Sequence, residues 1–293
     1  MSPACTRRHA TARPTIGLLA ALALTLWLPS GPASAAQTTP THGDEQSGLT
    51  RSQKAWLLNI GATGGIVAYG IAKWDYGQRR FNFANEGWFG FDTGHGGADK
   101  LGHFWTSYML SHGFAHLYRK WGYDDDTANL YGAGSSLLFQ TVMEIGDGFS
   151  DFGSSYEDMV MNLVGVGAGY FLGRHPDLAR KIDFRIEYTP DIRNSNFDLL
   201  TDYDNQRFLV ALKADGFDAV TNPWLKYAEL HIGYFARGYE GRDPNGPDNR
   251  NRTLYVGLGL NVSRLVQRHV NTRVFDYFQL PYTSVRADFG LDK

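Results

Sequence analysis

Four long stretches of this chain are apolar nearly all round, yet each carries polar residues at helical spacing. They cover residues 55–74, 101–120, 128–145 and 158–172. Each is about 15 to 20 residues between Gly, Asp or Pro, too long for strands, which predicts four helices. A helix turns ~100° per residue, so positions four apart share a face. On the first helix Asn59, Thr63, Gly70 and Lys73 fall in one stripe, and on the second Asp99 and His103. The third carries Ser136, Gln140 and Glu144, with Asp147 one turn beyond. The fourth carries Asp158 and Asn162 in line with Gly165 and Gly169.

A helix that is apolar all round is buried in a core or in lipid. Its polar groups then need partners, because an unpaired one costs about 1–3 kcal/mol. The stripes therefore point at one another, with Gly165 and Gly169 letting the fourth helix approach a neighbour closely. This predicts one interior cluster of Asp99, Lys100, His103, Glu144, Asp147, Asp158 and Asn162. Simpler roles compete for single members. Asp99 follows Gly96-Gly97-Ala98 and suits a helix start, and Ser155 with Asp158 has capping-box spacing. Caps explain neither Glu144 nor His103. His112 and His116 lie on the opposite face and read as surface or interface histidines, so changing His112 should leave stability unchanged. Gly61 and Gly65 form a GxxxG pair that suits helix packing.

From about Asp183 the texture changes. Residues 208–212, 230–239 and 253–262 are short, aromatic and β-branched, and in the last Leu254, Val256, Leu258, Leu260 and Val262 alternate with other residues. A period of two marks strands with one apolar face. Three or four strands are too few for a complete outer-membrane barrel, which takes about eight or more. The fold class is α+β, a four-helix bundle followed by a small antiparallel β region. The expected organisation is a signal peptide at 1–35, a leader at 36–50, the bundle at 51–182 and the β-rich region at 183–293.

The chain opens with Arg7, Arg8 and Arg13 and no acid, followed by an apolar run over 16–28 and Ala33-Ser34-Ala35. This is the pattern of a cleavable secretory signal, with the mature protein beginning at Ala36 or Gln37. The one cysteine, Cys5, falls inside it, so the mature part has no disulfide, thiolate metal site or lipid-bearing cysteine. Net charge is −2, and losing the three arginines makes it more acidic still. That argues against a nucleic-acid partner, which needs a basic face.

The stripes read as motifs: Asp99-Lys-Leu-Gly-His103-Phe104, Glu144-Ile-Gly-Asp147-Gly-Phe-Ser150, and Asp158 followed by Asn162 and Gly165. In order and spacing they resemble the YfiM-like family of predicted periplasmic lipoproteins, whose function is uncharacterised. VanZ-like membrane proteins share a similar order more faintly. Asp202-Tyr-Asp-Asn-Gln206, Leu230-His-Ile-Gly-Tyr234 and Phe278-Gln-Leu-Pro281 look like later blocks of the same family, so the likeness runs over about 55–285. The resemblance implies a periplasmic, membrane-associated protein and no particular reaction.

The residues support two functions. In the first, the chain is a non-enzymatic envelope protein, structural or interacting, whose bundle is held by a buried polar network and whose partner is the envelope membrane or a protein on it. In the second, it is a metal-assisted or acid–base hydrolase of an envelope lipid or glycan carrier. Glu144, His103 and Asp158 would then be catalytic, or His103, Glu144, Asp147 and Asp158 would ligate a metal. No motif with an established mechanism is present, which favours the first reading. The residues name no cofactor, oligomeric state or choice between inner and outer membrane.

Overall fold

A computed structural model describes residues 48–190, 200–240 and 246–292. The signal peptide, its cleavage site and most of the leader lie outside the described residues. Four long helices form: α1 (Arg51–Lys73), α2 (Ala98–Lys120), α3 (Asp125–Gly148) and α4 (Tyr156–Arg174). Each covers its expected segment, α1 ending one residue short of it, and starts two to four residues earlier. Thr50 opens α1 with a capping box, and Asp124 accepts from Thr127 N at the head of α3. A short helix α5 (Pro176–Ala179) leads to the sheet.

The β region is larger than the sequence suggests. Six strands lie in the order β7-β3-β4-β5-β6-β8: β3 (Ile182–Tyr188), β4 (Gln206–Lys213), β5 (Ala228–Arg237), β6 (Asn251–Leu260), β7 (Phe278–Gln279) and β8 (Ser284–Gly290). All neighbours pair antiparallel except β3 with β7. A short helix α6 (Val262–Gln267) follows β6. The expected strands at 208–212, 230–239 and 253–262 are β4, β5 and β6; β4 contains its segment, β5 and β6 lie two residues earlier than expected, and Val262 falls in α6.

This sheet curls, because its charged face turns inward. Asp183, Arg185 and Glu187 alternate with Ile182, Phe184 and Ile186 along β3. Buried Arg185 bonds Glu229 through two nitrogens at 2.8 Å, Asp183 at 2.6 Å and Gln279 at 2.9 Å. Glu187 on β3 lies 3.9 Å from Arg286 on β8. Four strand spacings of a flat sheet would separate them by roughly 19 Å, more than two side chains bridge. The opposite, apolar face is partly covered by α2, with Trp105 and Tyr108 packing among Ile186, Phe208, Tyr234 and Tyr277.

α2 is the centre of the helical layer, with α3 and α4 on it and α1 packed through Ile66 against Phe114, Tyr118 and Phe139. Gly165 and Gly169 meet α2 as expected: a Cβ on Gly165 would run into Phe104 O, and one on Gly169 would lie 2.7 Å from Ser111 Cβ. Gly61 and Gly65 do not pack, since a Cβ at either would meet nothing within 4 Å. The helices are not uniformly apolar either. Among the described residues α1 is the one helix long and apolar enough to cross a membrane, by length and composition. The others carry too many polar groups, and they carry them inside.

The exterior is correspondingly apolar. Trp56, Ile60 and Ile71 on α1 are 70%, 63% and 62% exposed. Leu130, Leu138 and Ile145 on α3, Leu163, Val164 and Phe171 on α4, and Val256, Leu258 and Val285 on the sheet are exposed as well. Lys100, Gln140, Glu144 and Asn162 are buried. On α3 and α4 the usual distribution of polarity is inverted.

Candidate functional site

The interior cluster begins at a turn that only glycine makes. Gly96 and Gly97 have φ of 62° and 86°, and a Cβ on Gly97 would lie 2.9 Å from the Phe89 Cα. The turn starts α2 with Asp99 and Lys100 buried in its first turn. Asp99 makes no cap, because Gly97 holds that position without a side-chain bond. Its carboxylate accepts from Lys100 Nζ at 2.8 Å. The same ammonium donates to Glu86 and lies 2.9 Å from Asp158 Oδ1. Burial alone would lower the Lys100 pKa, but Asp99, Asp158 and Glu86 outweigh it and hold the group above its ordinary value.

Glu86 reaches the cluster from the loop ahead of α2. Strand β1 (Phe83–Ala84) pairs in parallel with β2 (Ser154–Ser155), which ties that loop to the head of α4. Ser155 caps α4, its Oγ accepting from Asp158 N at 3.3 Å. In a capping box the third helical residue would reach back to the cap's own N–H. Here Glu144 of α3 takes that N–H, Ser155 N donating to its Oε2 at 3.3 Å. Asp158 is thereby released from the cap to face Lys100 and His103.

His103 sits between the acids. Its Nδ1 is 3.2 Å from Asn162 Oδ1 and 3.5 Å from Glu144 Oε1, and its Nε2 is 3.6 Å from Asp158 Oδ1. Burial pushes the imidazole below its usual pKa, so it is neutral at pH 7. Gln140 Nε2 donates to Ser107 Oγ at 2.7 Å and to Asn162 Oδ1 at 2.9 Å. Those bonds fix the Asn162 amide with its NH2 toward Glu144 Oε1, 3.4 Å away.

Glu144 accepts only long hydrogen bonds, from Ser155 N at 3.3 Å and Asn162 Nδ2 at 3.4 Å. It is 2% exposed, and burial, then the charges of Asp158 and Asp147, push its pKa up to about 9. Burial raises Asp147 to about 6 against the bond it accepts from Tyr76 Oη at 2.8 Å. Burial and Asp158 raise Glu86 to about 7. Neutral His103 beside a protonated Glu144 is an acid–base pair in a closed interior.

All seven expected cluster residues therefore lie around one interior volume. Two sets of ligand-type groups share it. In each of His103–Glu144–Asp158 and Glu86–Asp99–Asp158, one atom per residue lies within 4.8 Å of the others. Asp147, expected among the metal ligands, falls in neither set and is held by Tyr76 instead. Glu86, Tyr76 and Ser107 were not expected. Glu86 and Tyr76 belong to loops without periodicity, whereas Ser107 lies four residues beyond His103 on the same stripe and was legible.

His112 is not a surface histidine. Its Nδ1 is 2.8 Å from Tyr277 Oη and its Nε2 is 2.9 Å from Gly169 O, and burial brings its pKa down to about 4. With His116 it lines a cleft of about 910 Å³ beside the C-terminal segment. His112→Ala removes the ring bridging helix α4 to Tyr277, and a melt of the purified variant is expected to show a loss of about 1–3 kcal/mol. An unchanged melting temperature would mean that the bridge contributes nothing.

The fold and site describe an α+β protein with a carboxylate- and histidine-lined interior. Residues 85–174 match the model of the family described as predicted periplasmic lipoprotein (DUF2279), the family of unknown function to which the motifs pointed. The match takes in every charged member of the cluster, while the later blocks at 202–206, 230–234 and 278–281 lie beyond it. No curated protein and no solved structure matches the chain.

Proposed function

We propose that this chain is an exported envelope protein seated against a membrane through the apolar faces of its helices and sheet. The observation that carries this reading is the apolar exterior of the helical layer: Trp56, Ile60 and Ile71 on α1, and Leu138, Leu163 and Phe171 on α3 and α4, where amides and charges lie inside. Exposing so much apolar area to water is costly at roughly 25 cal/mol per Å². Contiguous apolar patches of this kind mark contact surfaces, and acyl chains match their chemistry. The periplasmic, lipoprotein-type description of the matching family agrees with that placement. The protein is expected to stay in the membrane pellet after carbonate extraction. In phosphatidylethanolamine–phosphatidylglycerol vesicles with brominated acyl chains its tryptophan fluorescence should be quenched, less so in Trp56→Phe. Release into the carbonate supernatant together with unquenched fluorescence would refute the reading.

The acid–base pair favours a second reading, in which the cluster works on an envelope lipid or glycan carrier, with Glu144 as the acid or base and His103 and Asp158 positioning the reacting group. Hydrolysis of such a carrier that is lost in Glu144→Gln while fold and membrane binding persist would establish it.

A further inference from the structure

Asp158 belongs to both ligand sets, and the two sets differ in one respect. The Glu86–Asp99–Asp158 set surrounds a cation, the Lys100 ammonium, which contacts all three acids. The His103–Glu144–Asp158 set joins an imidazole of α2 to carboxylates of α3 and α4, and its one contact with a cation is at Asp158 Oδ1, 2.9 Å from Lys100 Nζ. Glu144 is buried, yet its contacts to Ser155 N, Asn162 Nδ2 and His103 Nδ1 are all 3.3 Å or longer. Charge-assisted bonds to a carboxylate are ordinarily about 2.7–2.9 Å. Three further oxygens in this interior, Asp99 Oδ1, Gln140 Oε1 and Asp158 Oδ1, are buried without a hydrogen-bond partner, the last lying 2.9 Å from Lys100 Nζ. Five acids (Glu86, Asp99, Glu144, Asp147 and Asp158) share the volume with one ammonium.

We propose that His103, Glu144 and Asp158 bind one divalent first-row transition ion, with Lys100 acting as a built-in second cation that shares Asp158. Donors about 2.0–2.2 Å from a common ion lie no more than about 4.4 Å apart, so the set needs only a small contraction to close on it. One imidazole with two carboxylates suits Zn²⁺, Mn²⁺ or Fe²⁺ better than Mg²⁺, which prefers all-oxygen shells. Asn162 and Gln140 belong to the site as supports: their amides hold His103 and Glu144 in place, as outer groups do around metals. Inorganic ion binding here does not depend on whether the outer faces meet lipid.

The test uses the exported protein as produced, purified in detergent, stripped with chelator and dialysed. Zn²⁺ or Mn²⁺ at about a hundredfold over its dissociation constant is expected to raise the melting temperature by about 5 °C or more, and Mg²⁺ to do far less. Calorimetry should give one ion per chain. Glu144→Gln and His103→Gln should weaken binding at least tenfold, whereas Asp125→Asn, an exposed acid on α3, should bind as wild type. X-ray absorption of the loaded protein should report a single imidazole. Loss of that imidazole signal in His103→Gln supports the site even if Glu144→Gln misfolds. Binding of neither Zn²⁺ nor Mn²⁺, or wild-type affinity in the well-folded Glu144→Gln or His103→Gln protein, overturns the proposal. Membrane retention is scored separately, so either result can fail alone.

Discussion

Glu144→Gln is expected to raise the melting temperature of chelator-treated protein at pH 8.5 and to leave it nearly unchanged at pH 4.5. The reason is the proton on Glu144. Burial and the neighbouring Asp158 and Asp147 raise its pKa from 4.5 to about 9 in the folded chain. Below pH 4.5 folded and unfolded chains both hold the proton, and the group is neutral toward stability. Between 4.5 and 9 the unfolded chain releases it and the folded chain does not, so wild-type stability declines as pH rises through that window. Glutamine has no proton to lose, keeps the size of the side chain and can still accept from Ser155 N. The gain is put at about 1–3 kcal/mol, or roughly 3–10 °C for a protein of this size. Melts across pH 4.5–9 on both proteins decide it. A variant that melts lower than wild type at pH 8.5 without metal would show that Glu144 is ionised and stabilising.

Lys100→Met should be the most damaging single change in the helical layer. The ammonium is fully buried and is the common partner of Glu86, Asp99 and Asp158. Methionine fills most of the volume and leaves three acids facing one another. Removing one partner of a buried ion pair costs about 3–5 kcal/mol. The loss is expected to shrink toward acid pH, because the acids relieve their repulsion by protonation, and Glu86 already sits at about 7. Urea titrations at pH 5.5 and pH 8 measure this through the shift in midpoint at constant slope. A midpoint within about 0.5 M of wild type at pH 8 would mean that the acids are neutral or hydrated without Lys100, and that the ammonium does not organise the cluster.

Much of this was legible in the sequence. Four helices follow from long apolar segments, and the meeting of Asp99, His103, Glu144, Asp158 and Asn162 follows from one turn of a helix per ~3.6 residues together with the cost of stranding a polar group. Central strands β4, β5 and β6 follow from alternation. β3 alternates just as clearly, Ile182, Phe184 and Ile186 against Asp183, Arg185 and Glu187, but charges on a strand read as a solvent face. Only the curl of the sheet makes that face an interior.

Which carboxylate has a partner was decided by tertiary structure. Glu86 comes from a loop placed by the β1–β2 pairing, and nothing in its local sequence points at Lys100, fourteen residues on. Glu144 completes the cap of another helix, which frees Asp158 and leaves Glu144 without a cation. His112, opposite the stripe and therefore assigned to the surface, is covered by Tyr277 from the far end of the chain. Periodicity reports which residues share a face of one element. It carries no information on what lies opposite that face, because the opposing groups come from segments tens of residues away whose approach is set by packing. Sequence alone thus determined the four long helices, strands β4, β5 and β6, and the seven cluster members carried on the helices. Tertiary structure decided the pairing of the cluster's charges.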